Sequence, residues 1–305
     1  NLNLYGELPM IKLGVIGGSG LYHIEGLENI REVNIETPYG DPSDSYIIGE
    51  LDNREIVFLP RHGKGHKILP GELNHRANIC GMKMLGVSHI LSVSAVGGLK
   101  EETAPRDVVV VDQYFDRTKR SGAAHTFFGD GIVGHVAMAD PACPDLCSLT
   151  SDAAEKAIAS SDAPERKVHR SGTYVNMEGP AFSTKAESNF YRSLGFDVIG
   201  MTNMAEAKLA REAEICYCTA AMVTDYDCWH PEHDSVTVEL VIANLTANVA
   251  LAKEIVRQVA CNIESLKGSG CSCRDALACA IITVPDAMPK ATVEKMRPII
   301  GRYIK

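Results

Sequence analysis

Residues 215–225, ICYCTAAMVTD, form an apolar run with almost no polar alternation. A strand of that kind is buried on both faces, so it demands a sheet covered by helices on each side. Residues 12–17, 87–98 and 107–113 read as further apolar strands. Between these runs, residues 71–86, 145–159, 205–213 and 235–266 place apolar side chains at helical spacing. Residues 45–51 and 54–60 flank an Asp-Asn turn and read as a hairpin. Residues 167–180 read as a strand entering a loop, 197–201 as a short strand, and a helix is expected to open at Ser183, with Ala186 at N3 lacking the reciprocal acid of a capping box. Strand and helix alternate without a flexible linker before Gly268, which predicts one α/β domain around a mostly buried sheet. The expected division is residues 1–9 as a frayed or appended N-terminus, 10–267 as the domain, and 268–305 as a C-terminal extension.

Thirty-nine acidic against 30 basic side chains leave a formal charge of −9, which argues against nucleic acid as a partner. No apolar run reaches the roughly 18 residues of a membrane span, and no secretory leader is recognisable, so a cytoplasmic location is expected. Ten cysteines scattered through 305 residues are not a secreted disulfide framework. Cys271 and Cys273 follow a Gly-Ser-Gly hinge without a CxxC partner. No metal site is expected, and an intramolecular disulfide fits this pair better than an ion.

Ligands of α/β sheets gather beyond the carboxyl ends of strands, and four predicted strand ends carry chemistry. GGSG, residues 17–20, frees backbone N–H groups beside the Ser19 hydroxyl, though a plain tight turn fits as well. A dinucleotide fingerprint would need glycine where His23 stands, and Walker-type Gly-Lys-Ser is absent. Arg61 and His62 follow Pro60: a guanidinium fork suits phosphate, and the imidazole could add a donor. Ser94 and the Ala95 backbone end a third strand. These describe an anion site requiring no metal. The fourth, VTDYDCW, ends the longest strand in Asp225 and Asp227, which face one side if the segment is extended. Crowding and burial would raise at least one of them, leaving a proton donor near neutrality. The pair alone fits equally well a polar strand exit, Asp225 capping the turn and Asp227 solvated.

Taken together, GVIGGSGLY, TPYGDPSD, FLPRHGKGH, ILSVSAVGGL, HVAMADP, EGPAFSTKAES, VIGMTNMAEAKLAREAEICY and MVTDYDCW, spread over residues 12–266, resemble the 5′-methylthioadenosine phosphorylase branch of the purine nucleoside phosphorylase family. The resemblance implies a single-domain phosphorylase fold, a twisted mixed central sheet flanked by helices. It implies a homo-oligomer, trimer or dimer of trimers, with sites near subunit contacts, and a pentosyltransferase of purine and methionine salvage. The substrates would be a purine nucleoside and inorganic phosphate, with no cofactor. Carried onto this chain, phosphate falls to Ser19, Arg61, His62, Ser94, Ala95 and Thr202. Met201 would lie under the ribose, Phe182 on the purine face, and Ser183 at its edge. Val238, Val241 and Ile242, spaced like ordinary core residues, would line the 5′ pocket with His135 of a neighbouring subunit. Asp225 would donate to adenine N7 and Asp227 accept from N6.

The chain departs from the family pattern at Ala181, where a basic residue is common, at Ala205, in place of a proline, and at Arg106, in place of a glycine. Rival readings are a phosphorylase of methylthioinosine or another purine nucleoside, a nucleosidase using water, and a non-catalytic nucleoside-binding protein. Methylthioadenosine, 5′-deoxyadenosine and adenosine are not ranked by sequence.

Overall fold

The computed structural model describes residues 11–18, 21, 24–119, 125–231, 238–268 and 270–304, with the side chains of 238–243 and 245 excepted. The first half of the chain supplies β1 (Leu13–Gly17), β2 (Glu28–Val33), β3 (Tyr46–Leu51), β4 (Arg54–Pro60), α1 (His75–Met84), β5 (His89–Gly98), β6 (Val108–Val111), β7 (Gln113–Asp116) and α2 (Pro144–Ala159). The second half supplies β8 (Val168–His169), β9 (Thr173–Asn176), α3 (Lys185–Ser193), β10 (Val198–Gly200), α4 (Asn203–Glu212), β11 (Cys216–Asp225), α5 (Val238–Asn262) and α6 (Lys290–Ile300). Among the described residues, eleven strands join one mixed sheet, ordered β2-β3-β4-β1-β5-β10-β9-β7, with β11 paired to β5 and β6, and β6 to β8. The expected fold class is the one observed.

β11 is buried at every position. Its side chains alternate between two cores: Cys216, Cys218, Ala220 and Met222 meet α2 and α5, whereas Tyr217 meets the layer of α1, α4 and α6. β1, β4, β5 and β11 run parallel, so their carboxyl ends open at one edge. At Gly97 and Gly98, β5, still paired to β11 through Gly97, also pairs antiparallel with β10, bringing the end of β10 to the same edge.

One local expectation is corrected, and one strand had no sequence signal. Helix α3 is capped by Thr184, not Ser183: its hydroxyl accepts the N–H of Glu187, and Glu187 returns a bond to the Thr184 N–H, a complete capping box one residue later than predicted. The strand β2, polar and largely exposed, carried no apolar signal and is held by pairing to β3. Beyond residue 268 the chain folds back, and α6 buries Met296, Ile299 and Ile300 in the same core as α1. Residues 1–10 lie outside the described residues.

Candidate active site

The strand ends surround a cavity of about 530 Å³ whose walls include Arg61, His62, Ser94, Ala95 and Thr202 together with Phe182, Met201, Asp225 and Asp227. Ser19 lies outside the described residues, as do the side chains of Val238, Val241 and Ile242, although Asn248, Val249 and Ala252 farther along α5 do line the cavity. Ser183 is not a lining residue; its hydroxyl contacts Met177 Sδ at 3.7 Å and its carbonyl accepts from Cys228 Sγ at 3.3 Å. His135 is exposed and lines no part of this cavity. Ala181 is exposed and also absent from the walls, so that departure leaves them unaltered.

The Arg61 guanidinium does not present a free fork. It is buried, and its Nε donates to Glu206 Oε1 at 2.5 Å, Nη1 to the Val93 carbonyl at 3.0 Å, and Nη2 to Ser92 Oγ at 2.6 Å and Glu206 Oε2 at 3.2 Å. Burial alone would raise the Glu206 carboxyl, but the Arg61 charge and hydrogen bonds bring it below the usual range. Tyr217 and Ser92 hydroxyls complete the carboxylate at 2.8 and 2.9 Å, and Asn203 donates to both hydroxyls, at 3.0 and 2.7 Å. Glu206 was not among the sequence candidates: it sits 145 residues from its partner, and only its burial betrays it. Ala205 is buried within the first turn of α4, where a proline would be tolerated and alanine serves equally.

His62 is also not the donor it was expected to be. Its Nδ1 lies 2.8 Å from the Ile68 carbonyl, which can only accept, so the proton is on Nδ1 and Nε2 carries a lone pair. Burial, then the neighbouring Arg61 charge, pushes the imidazole down to about 4. The anion end therefore offers the Ser94 and Thr202 hydroxyls, whose own contacts are long at 3.5 and 3.4 Å, the start of α4, and one bare imidazole nitrogen.

The two acids converge by a different route from strand alternation. The ladder between β11 and β5 shifts between Val223 and Asp225, a bulge that sets Asp225 opposite Gly97, and Asp227 lies beyond the strand at φ 50°, in the left-handed region. Asp225 is well satisfied: Oδ2 accepts from the Thr224 hydroxyl at 2.7 Å and Oδ1 from the Asp227 N–H at 2.8 Å. Burial raises its carboxyl and these two bonds oppose the rise. Asp227 Oδ2 is buried without a partner, and burial, reinforced by the Asp225 charge and opposed by nearby Ser188, pushes Asp227 up to about 6. A Cβ on Gly97 would stand 3.1 Å from Asp225 Oδ1 and from Ile199 Cγ2 and 3.3 Å from Asp227 Cβ, so any larger residue there would push on both acids by a few tenths of an ångström.

Residues to which the sequence assigned no role hold this end in place. Asn244 and Asn248 of α5 donate to the Thr224 and Val223 carbonyls at 2.7 and 3.2 Å. Arg106 adopts φ 78°, the conformation glycine prefers, and its Nε reaches Asn244 Oδ1 at 3.2 Å. Trp229 is a clamp: Nε1 donates to the Gly98 carbonyl at 2.8 Å while the Arg192 guanidinium lies 3.5 Å from its ring.

Residues 12–260 match the family model described as the phosphorylase superfamily. The chain is 54% identical over 292 residues to the S-methyl-5′-thioadenosine phosphorylase of Koribacter versatilis, covering 96% of each, and 54% identical over 292 residues to that of Geobacter sulfurreducens, covering 96% of this chain and 99% of the relative. Among solved structures it superposes on a methylthioadenosine phosphorylase from an antarctic soil metagenomic library with TM-score 0.88 and 45% identity, over 95% of this chain and 98% of that one. It also matches the Schistosoma mansoni methylthioadenosine phosphorylase in complex with adenine, with TM-score 0.77 and 36% identity, over 84% and 93%.

Proposed function

This chain belongs to the phosphorylase superfamily, and from that premise we propose that it cleaves 5′-methylthioadenosine with inorganic phosphate, giving adenine and 5-methylthioribose 1-phosphate. The observation that carries the reading is that one cavity joins an anion end, built from hydroxyls, Arg61 and a bare imidazole, to a carboxylate pair suited to a 6-aminopurine. Phosphate sits among Ser19, Arg61, His62, Ser94, Ala95 and Thr202. Arg61 acts there with its charge balanced by Glu206, so it positions more than it attracts.

The adenine ring packs on Phe182 near Ser183, its N7 toward Asp225 and its N6 amino group toward the unpartnered oxygen of Asp227. A 6-oxopurine would set an acceptor against that oxygen and leave it buried and unpaired, which is costly. The ribose lies over Met201. The 5′ substituent points along α5, where Val249 and Ala252 continue toward Val238, Val241 and Ile242. As the C1′–N9 bond breaks, Asp225 protonates N7 and the purine leaves neutral. A phosphate oxygen then bonds to C1′ while His62 Nε2 accepts a hydrogen bond from the phosphate O–H, and the proton which the sugar phosphate sheds passes to solvent as solvent reprotonates Asp225. Protonation of the base by Asp225 and attack by phosphate supply the whole reaction, so it calls for no organic cofactor and no catalytic metal.

A trimer, or a pair of trimers, is supported by an exposed apolar strip beside His135, formed by Val133, Ile282 and Val284, where 133 and 282 are hydrogen-bonded to each other. That none of the ten cysteines is in a disulfide supports a cytoplasmic location. Among the described residues no helix is long and apolar enough to cross a membrane. The test is chromatographic product analysis with methylthioadenosine, with and without phosphate. Adenine and an equal amount of sugar phosphate are expected only with phosphate; adenine released equally in its absence would make the protein a nucleosidase.

A further inference from the structure

At the opposite end of β11 from the acids, four cysteines meet. Cys143 stands at the N-cap of α2, Cys216 opens β11, and Cys271 and Cys273 flank the start of a short 3-10 turn at Ser272–Asp275. Their four sulfurs all lie within 4.8 Å of one another, with Cys143 Sγ to Cys271 Sγ at 3.4 Å and Cys216 Sγ to Cys271 Sγ at 3.7 Å. A tetrahedral zinc with Zn–S near 2.3 Å separates its sulfurs by about 3.8 Å. A disulfide brings two of them to about 2 Å and leaves no reason for the other two to converge. We propose that Cys143, Cys216, Cys271 and Cys273 form a structural zinc site that fastens the C-terminal segment to the base of the central strand.

Three further observations fit a tetrathiolate around a dication. The Cys273 N–H points to Cys271 Sγ at 3.4 Å, the kind of outer hydrogen bond that orients a metal-bound thiolate. Cys143 is at a helix N-terminus, where a thiolate is stabilised. Four thiolates and one dication sum to a charge of −2, and Arg274, next to Cys273, has Nε and Nη2 buried without a hydrogen-bond partner. All four positions are protein ligands, so the ion has no open coordination site and takes no part in the reaction. Along β11 the cluster is also roughly 30 Å from Asp225. Cys147 and Cys218, with sulfurs 3.4 Å apart, are a separate pair one helical turn away, and Cys279 is exposed.

The experiment is elemental analysis of the intact protein, purified from zinc-supplemented cells without reductant or chelator. It is paired with alkylation of thiols before and after denaturation in chelator. The expected results are ~1 zinc per chain and protection of these four cysteines until the metal is removed. Cys279→Ser keeps the zinc and Cys271→Ser loses it, and the wild-type metal content stands whether or not the latter folds. Stripping zinc lowers the thermal midpoint by several degrees without altering the requirement for phosphate. Absence of zinc, whether the thiols alkylate freely in the native protein or the mass shows them oxidised to disulfides, overturns the proposal. Iron in place of zinc overturns the choice of ion.

Discussion

Asp225→Asn separates the chemistry of position 225 from its structural role. Asparagine retains the contacts the carboxylate makes: its carbonyl accepts the Asp227 N–H now at 2.8 Å, and its amide donates to the Thr224 hydroxyl now at 2.7 Å. That hydroxyl keeps an alternative acceptor in the Val96 carbonyl at 3.1 Å. The fold should therefore change little, with a thermal midpoint within a few degrees of wild type. What disappears is the transferable proton. General acid catalysis is worth ~10²–10⁴-fold, so kcat/KM for methylthioadenosine should fall by about 10³, equivalent to ~4 kcal/mol at the transition state. The assay is steady-state release of adenine at saturating phosphate. A 7-methylated purine nucleoside, whose base departs neutral without a proton, should show a much smaller defect in the same variant. Turnover within about fivefold of wild type on methylthioadenosine would refute the assignment of Asp225 as acid.

Asp227→Asn tests the other carboxylate. With Asp227 raised to about 6 by burial, kcat/KM of the wild type should climb as pH rises through 6 and the N6 acceptor ionises, and this limb should be missing from the variant's profile. The same raised value means the folded chain binds this proton more tightly than the unfolded one, so its stabilising contribution is lost as pH rises from ordinary carboxylate values to 6. Urea midpoints at pH 5 and 7 should differ more for wild type than for the variant. Gly97→Ala places a methyl 3.1 Å from Asp225 Oδ1 and should lower kcat/KM at least ~10-fold by displacing both acids, while the protein stays folded by circular dichroism. Glu206→Gln strips Arg61 of its buried counter-charge, a loss of about 3–5 kcal/mol; urea unfolding should register it, and a change below 1 kcal/mol would mean the pair carries little.

Much of the candidate site was legible because its residues sit at the ends of apolar runs. Asp225, Asp227 and Ser94 could be placed near one another once the strands were recognised, since parallel strands deliver their carboxyl ends to one edge, whereas Thr202 entered only through the family resemblance, because β10 runs antiparallel to β5. Less visible were residues whose role depends on a partner far along the chain. Glu206 is one more helical acid until it meets Arg61, and Asn244, Asn248 and Trp229 are unremarkable until they hold backbone carbonyls of β11 and β5. The cysteines show the same limit: positions 143 and 271 are 128 residues apart, and spacing in sequence says nothing of 3.4 Å in space.

The amino-acid order by itself determined which segments must be buried on both faces, hence an α/β sheet, and which chemical groups stand at its edge, because hydrophobic burial depends on local pattern and side-chain identity is covalent. Tertiary structure alone decided what state those groups are in. A carbonyl at Ile68 assigns the His62 proton, a carboxylate at Glu206 occupies the Arg61 fork, and a bulge with a left-handed residue aims Asp227. Each is set by distance and solvent exclusion between residues that chain order does not bring together.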